Sequence, residues 1–247
     1  MPRKFVVGVV GVGAFGEFIL PHLAAYFDVR IYDAYRDLSP VENLYNVCRM
    51  DIEGLKECDV IIFAVPVQTL SGALKEALPH LPEKCIVCDV SSVKVKPAKA
   101  MTEILPEGID IVGTHPLFGP QSGSKGVHGL NVAVCPIRGN RHRMVEHFLR
   151  KVLKLNVHVT TPDEHDRQMA CVQGITHLMG NALRRISRVE AGMTTRSYEL
   201  LMESYEIIKD DSPALFAAIA KENPYVESVK NEFFSAVREL EEELKKF

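Results

Sequence analysis

The sequence predicts a doubly wound α/β unit followed by an all-helical one. Three observations carry this. A glycine-rich turn, Gly11-Val12-Gly13-Ala14-Phe15-Gly16, separates a continuous apolar run from an apolar-periodic segment. Strand-like and helix-like stretches then alternate as far as residue 160. Beyond that point no strand pattern occurs, so the expected units are residues 1–160 and 161–247.

Phe5-Val6-Val7-Gly8-Val9-Val10 reads as a buried parallel strand, apolar on both faces. The glycines after it allow a tight turn, close approach of the backbone to a pyrophosphate, and close helix–strand packing. The following helix, with Phe15, Phe18, Ile19 and Leu23 on one face, offers free N–H groups to phosphates at its start. Asp33 ends the second strand, Val29-Arg30-Ile31-Tyr32, roughly 20 residues after the first glycine, where a ribose-binding carboxylate belongs. Together these describe a Rossmann-type nucleotide-binding unit, with Gly11, Gly13, Ala14, Phe15, Gly16 and Asp33 as cofactor residues. A carboxylate at Asp33 bonds a ribose 2′-OH and repels a 2′-phosphate, which favours NAD over NADP. Arg36, close by, softens that preference. Pro21 is expected to kink the first helix or end it early.

The alternation continues through Asp59-Val60-Ile61-Ile62-Phe63-Ala64-Val65, a strand stopped by Pro66, and a helix over 69–78. Cys85-Ile86-Val87-Cys88-Asp89-Val90 is the next strand, leading into Ser91-Ser92. Either serine suits a helix cap as well as a ligand. Ile109-Asp110-Ile111-Val112 is a short strand expected to open at Gly113 into a loop carrying His115, whose backbone Pro116 stiffens. Asn131-Val132-Ala133-Val134-Cys135, a helix over 142–153, and a closing strand at Asn156-Val157-His158-Val159-Thr160 complete the unit. Ligands gather at the carboxyl ends of such strands, so Gly11, Val65-Pro66, Ser91-Ser92 and His115 should share one rim.

Thr161-Pro162-Asp163-Glu164 reads as a helix start, with Thr161 as cap. Helices are expected over 162–190, 195–208 and 213–246, the first ending at Ala191-Gly192. Apolar helix faces without a sheet of their own call for a partner subunit, hence a homodimer.

A net charge of −3 and a pI near 6.3 give no footprint for nucleic acid or an anionic surface. No apolar run is long enough to span a bilayer. The N-terminus superficially mimics a secretion signal, but its apolar core is the glycine fingerprint. Six cysteines suggest no disulfide framework. Cys85 and Cys88, three apart on a strand, face opposite sides, so buried thiols are expected and no metal site. A cytoplasmic protein follows.

Thr114-His115-Pro116-Leu117-Phe118-Gly119-Pro120-Gln121-Ser122-Gly123 resembles the active-site loop of prephenate and arogenate dehydrogenases, the plant type above all. Asp89-Val90-Ser91-Ser92-Val93-Lys94 resembles their serine motif, with Ser92 in the functional position. Glu164-His165-Asp166-Arg167 and Gln173-Gly174-Ile175-Thr176-His177-Leu178-Met179-Gly180 are also similar. Thr195-Arg196-Ser197-Tyr198 matches a Thr-Lys-Gly-Tyr segment, with Arg196 keeping the charge and Ser197 replacing a glycine. The resemblance implies NAD(P)-dependent oxidative decarboxylation of prephenate or arogenate in tyrosine biosynthesis, in a dimer formed through the helical region. It implies His115 as base, Ser92 as its companion on the hydroxyl, and His177 with Gln173 lining the pocket. Arg196 would hold a substrate carboxylate, and Thr195 beside it is a further substrate-binding residue. Asp211 falls at the register of an acidic residue associated with arogenate preference, which makes arogenate the expected substrate. Asp211 or Ser212 is equally placed to cap a helix beginning at Pro213. His165 is expected to be a structural contact. Two rivals stand beside this reading. Another NAD-dependent hydroxyacid-type dehydrogenase would place a catalytic lysine on the first long helix, yet no lysine lies between Pro162 and Ile208. A non-enzymatic NAD-binding regulator explains the glycines but not the His115 loop.

Overall fold

The first strand, β1 (Val6–Val10), is buried along its whole length because it lies inside a sheet. Parallel β2 (Asp28–Tyr32) flanks it on one side and β4 (Val60–Phe63) on the other. With β3 (Cys48–Arg49), β5 (Ile86–Asp89), β6 (Asp110–Pro116), β7 (Asn131–Arg138) and β8 (Asn156–Val159), the order is β3-β2-β1-β4-β5-β6-β7-β8. The computed structural model describes residues 4–186 and 192–247, and they form two compact units, Met1–His165 and Asp166–Phe247. No helix among the described residues is long and apolar enough to cross a membrane.

Helices cover both sheet faces, as the doubly wound reading requires. α3 (Val67–Ala77) and α4 (Val95–Ile104) bury Leu70, Leu74, Ala77 and Met101 against Val6, Val10, Ile61, Phe63, Val87 and Ile111. α1 (Ala14–Ala24) and α2 (Ser39–Tyr45) pack Leu20, Leu23 and Val41 against Val7, Val9, Val29 and Ile31 on the opposite face. The alternation of each strand assigns these sets: residues two apart share a face. Cys85 and Cys88 accordingly fall in cores on opposite faces, and burial pushes both thiols up to about 12. All six cysteines are free.

Several sequence expectations need correction. The sheet is mixed: β7 runs antiparallel to β6, and β8 pairs parallel to β7. α1 continues through Pro21 to Ala24. The proline sits near the C-terminal end, and the buried Leu20 and Leu23 hold the last turn on the sheet regardless of one lost hydrogen bond. α2 and β3 were not expected. The strand at 109–112 does not open into a loop at Gly113. Pairing with β7, Thr114 to Val134, His115 to Ala133 and Pro116 to Val132, carries β6 to Pro116, so His115 stands on a strand.

Thr161 does cap α6 (Pro162–Leu183), its Oγ1 accepting from the Glu164 N–H at 3.2 Å. The helix expected over 162–190 ends at Leu183, where the chain tightens into turns with the Arg185 and Ile186 N–H groups bonding three residues back, to Ala182 and Leu183; the break expected at Ala191 lies outside the described residues. α7 (Arg196–Ile208) matches its expected span. The single helix expected over 213–246 is two: α8 (Pro213–Ala217), extended by a wider turn over Ala218–Glu222, and α9 (Val226–Leu244). Pro224 forces Asn223 out of helical geometry. Buried Asn223 then fixes the corner, donating from Nδ2 to the Asp166 carbonyl at 2.7 Å and accepting at Oδ1 from the Tyr225 N–H.

Candidate active site

The glycine turn works by three different means. Gly11 has φ +91°, and a Cβ there would stand 2.6 Å from Val65 Cγ1 and 2.8 Å from the Ala64 carbonyl oxygen. At Gly16 a Cβ would collide with the Gly11 carbonyl oxygen. At Gly13 it would meet nothing, so this glycine leaves open space at the helix start. Gly13 is the cap residue of α1 and supplies no side-chain acceptor, so the first-turn N–H groups around Ala14 and Phe15 face outward. Such a cradle fits a pyrophosphate. Val65 and Pro66 lie at the carboxyl end of β4, beside Gly11. Asp33, just past β2, accepts from the Val12 N–H at 2.8 Å through Oδ2 and from the Tyr35 and Arg36 N–H groups through Oδ1. The Arg36 guanidinium donates to the Val12 carbonyl at 2.5 Å and pairs with Glu17 at 2.6 Å.

The expected rim is visible in the register. Val10 pairs with Phe63, Phe63 with Asp89, and Asp89 with Gly113, so the carboxyl ends of β1, β4, β5 and β6 are level. Ser91 and His115 each lie two residues beyond the Asp89–Gly113 pair. Neither Ser91 nor Ser92 caps α4, whose cap residue is Lys94. Ser92 is buried, and the buried Ser91 hydroxyl has no hydrogen-bond partner among the described residues.

His115 is 4% exposed, on the face shared with Ile111 and Gly113. Its Nδ1 lies 2.8 Å from Nε2 of His165, which is itself 3% exposed. Lys94, wholly buried, donates to Asp89 Oδ2 at 2.5 Å and to the Thr114 carbonyl at 2.6 Å. Gly113 makes room for it: a Cβ there would press within 3.2 Å of the Lys94 stem. Thr114, pointing to the other face, donates to the Asp89 carbonyl at 2.7 Å. Burial holds His115 well below the ordinary histidine value, and the neighbouring His165 and Lys94 push the same way. His115 is therefore neutral near pH 7.

A cavity of about 570 Å³ lies on the opposite face, lined by Phe15, Phe18, Cys88, Thr114, Pro116 and Phe148 among others. Its walls are almost wholly apolar and do not include His115, so it suits neither a dinucleotide nor a charged substrate.

In the helical unit, His177 and Asp211 come together, Nε2 to Oδ2 at 3.8 Å. Burial lowers His177, so at neutral pH this is a contact of a neutral ring with a carboxyl group rather than an ion pair. Ser212, not Asp211, caps α8, accepting from the Leu215 N–H at 3.1 Å. Asp211 is thus released from the structural duty that competed for it. Its side chain is 19% exposed, and burial, opposed by Arg184, pushes its carboxyl up to about 6. Gln173 is half-buried one helical turn before His177. Thr195 caps α7 through the Tyr198 N–H, and exposed Arg196 reaches Glu199 and Glu203 at 3.3 and 3.2 Å. Neither belongs to the His177–Asp211 contact.

Sequence reasoning missed Lys94 as a site residue and set His165 aside as structural. Fifty residues separate His165 from His115, and no spacing rule joins them. Asp89 and Lys94, at the two ends of the serine motif, did carry a signal: opposite charges flanking a buried strand end.

The fold and this rim define a nucleotide-binding protein with a helical companion unit. Residues 41–161 match the prephenate dehydrogenase nucleotide-binding domain, and residues 161–246 match the prephenate dehydrogenase dimerization domain. The chain belongs to the prephenate dehydrogenase family. It is 32% identical over 208 residues to a Methanocaldococcus jannaschii protein named "Probable arogenate/prephenate dehydrogenase", covering 79% of this chain and 46% of that protein. This chain therefore spans about half that relative's length. It is 26% identical to arogenate dehydrogenase 2, chloroplastic, of Arabidopsis thaliana, over 94% of this chain and 71% of that one. Its fold is similar to prephenate dehydrogenase from A. aeolicus, solved with hydroxyphenyl propionate and NAD+, with TM-score 0.76 and 21% identity over 99% and 92% of the two chains.

Asp211 gives a stability test. Its folded value, about 6, exceeds the unfolded value of about 3.9, so the folded state holds the proton more tightly. That contribution is complete below pH 4 and is lost as pH rises through 6. Asp211→Asn should therefore be about 1–3 kcal/mol more stable than the parent at pH 7 and no more stable at pH 4. Urea unfolding at both pH values measures this, and a parent that gains stability relative to the variant between pH 4 and 7 would refute the assignment.

Proposed function

We propose that this chain is an NAD(P)-dependent prephenate/arogenate dehydrogenase of tyrosine biosynthesis, making tyrosine from arogenate or its keto-acid precursor from prephenate by oxidative decarboxylation. The observation that carries the reading is a buried, neutral His115 at the level strand ends that also hold the glycine turn, in a member of this family. When bound, the nicotinamide supplies the hydride acceptor for the ring carbon that bears the hydroxyl. Gly11, Gly13, Ala14, Phe15 and Gly16 hold the pyrophosphate, Asp33 the ribose, and Val65, Pro66 and Ser91 the neighbouring rim. His115 accepts the hydroxyl proton as hydride leaves the same carbon. The ring carboxylate departs as CO₂, its bonding electrons complete the aromatic ring, and His115 returns the proton to the phenolate. Ser92 bonds the same oxygen. His177, Gln173 and Thr195 orient the substrate, and Arg196 takes a carboxylate, exchanging Glu199 and Glu203 for it. The helical unit forms a homodimer, which agrees with exposed Phe234, Val237, Leu240 and Leu244 along α9. We place the protein in the cytoplasm.

Asp211 meets the ammonium that arogenate carries and prephenate lacks. A carboxyl already costly to ionise gains most from a cation, which favours arogenate. Asp33 favours NAD over NADP, because its carboxylate would face a 2′-phosphate.

Incubation with NAD and each substrate, followed by NADH absorbance, tests the reading, and no turnover of either would end it. His115→Asn should lower kcat roughly 10²–10⁴-fold with nucleotide affinity nearly unchanged. A near-native kcat would remove His115 from the mechanism. Asp33→Ser should narrow the ratio of kcat/KM for NAD over NADP, and a parent that prefers NADP would contradict the role of Asp33. Asp211→Asn should shift the arogenate-to-prephenate kcat/KM ratio toward prephenate by roughly ten- to a hundredfold. An unchanged ratio would take Asp211 out of substrate choice.

A further inference from the structure

His115 and His165 share one hydrogen bond, and its direction decides what His115 can do. A bond between two ring nitrogens needs one donor and one acceptor. If His115 Nδ1–H donates to His165 Nε2, then His115 Nε2 carries a lone pair and can take a proton. If His165 donates instead, the neutral His115 ring carries its proton on Nε2 and can only give one. The two arrangements have the same heavy-atom geometry, Nδ1 to Nε2 at 2.8 Å with the rings 68° apart. They differ in chemistry.

We propose that His165 is the positioning residue of the base: it accepts the His115 Nδ1–H and so keeps the lone pair of Nε2 available to the substrate hydroxyl. This rests on the dehydrogenase reading, which assigns His115 as base. The first arrangement is the only one that survives catalysis unchanged. When Nε2 gains its proton, Nδ1–H still donates to the same acceptor, so nothing buried must move or lose its partner. The second arrangement blocks Nε2 from the start.

The surroundings hold the two rings in place, so the bond persists whichever way it points. Both rings are nearly inaccessible, so water cannot readily replace either partner. His115 is held on β6 by its pairing with Ala133. His165 lies in the first turn of α6, whose start is fixed by the Thr161 cap and Pro162, and its own N–H donates to the Thr161 carbonyl at 3.0 Å. Lys94, at the start of α4, acts on His115 and is itself paired with Asp89 at the end of β5, and buried Asp166 follows His165 in the chain. The ammonium, bonded to the carbonyl just before His115, discourages a charge on the His115 imidazole at rest.

The test uses the full chain labelled with ¹⁵N-histidine, the His115 signals being assigned by their loss in His115→Asn. Nitrogen shifts at neutral pH should show the His115 proton on Nδ1 in the parent protein. His165→Gln offers a carbonyl oxygen near the place of Nε2 and should keep that tautomer, with kcat within about tenfold of the parent. His165→Leu removes the acceptor. It should give a mixture of tautomers and a kcat lower by roughly 10–100-fold, with KM for the nucleotide unchanged. A parent His115 protonated on Nε2 overturns the proposal, as does a His165→Leu variant with parental tautomer and kcat. If His165→Leu does not fold, the parent spectrum and the glutamine variant decide. If the parent turns over neither prephenate nor arogenate, the dehydrogenase reading fails, while the spectra still report the direction of the bond.

Discussion

The candidate site depends on a lysine with no access to water. Lys94 lies flat over Gly113 and spends its ammonium on the Asp89 carboxylate and the Thr114 carbonyl. Placing both charges inside the protein costs several kcal/mol per ion before their attraction is counted, so the pair is weak evidence of stabilisation in itself. Its effect is positional. Asp89 also accepts the Ser91 N–H, and its carbonyl accepts the Thr114 hydroxyl. The last residues of β5 and β6 are thereby tied by side chains as well as by the ladder, at the point where the chain turns toward Ser92 on one strand and reaches His115 on the other. Losing one partner would leave an uncompensated buried charge, an effect of about 3–5 kcal/mol, in the one place where the backbone must be stiff.

Burial shifts the two halves of the candidate chemistry in opposite directions. It keeps His115 and His177 neutral, and it makes Asp211 reluctant to ionise. The physical cause is common to all three: the charged form loses its hydration. A neutral imidazole is ready to receive a proton. A carboxyl group poised near 6 is ready to receive a cation, since an ammonium partner restores what burial removed. Under the dehydrogenase reading, the same physical effect thus prepares a base in the first unit and a recognition group in the second.

The parts of the fold set by short-range physics were legible in the sequence: the buried β1, the glycine turn, the Thr161 cap and the helical second unit. What escaped was set by pairing at a distance. The extent of β6 depends on β7, so a reading of 109–112 alone had to stop at Gly113. The direction of β7 has no local signature. Pro21 and Pro224 show the limits of a residue rule. The first stands where buried leucines outweigh one lost bond, and the second where Asn223 supplies replacement bonds for a sharp corner. In the site, Asp33 was findable because it follows a strand at a meaningful distance from the glycine turn, and His115 because of the His-Pro motif at the end of an apolar run, although β6 includes it. His165 was not, because its meaning comes from a contact across fifty residues. For Asp211 the competing role was visible in the sequence, and only the structure could hand that role to Ser212.

The nucleotide end carries a similar division of labour. Arg36 is the cation that would draw a 2′-phosphate, and by position it competes with Asp33. The guanidinium is not idle: it is held by the Val12 carbonyl and by Glu17 on α1. To turn toward a phosphate it must give up a carboxylate and a carbonyl. Asp33 in turn is oriented by the Val12, Tyr35 and Arg36 N–H groups, so it cannot swing aside to admit one. Val12 lies between them, donating to the acid and accepting from the base. Under the dehydrogenase reading, Glu17 would bear on cofactor choice as well as Asp33, because it holds the guanidinium. The glycine turn binds the two together through the backbone of a single residue.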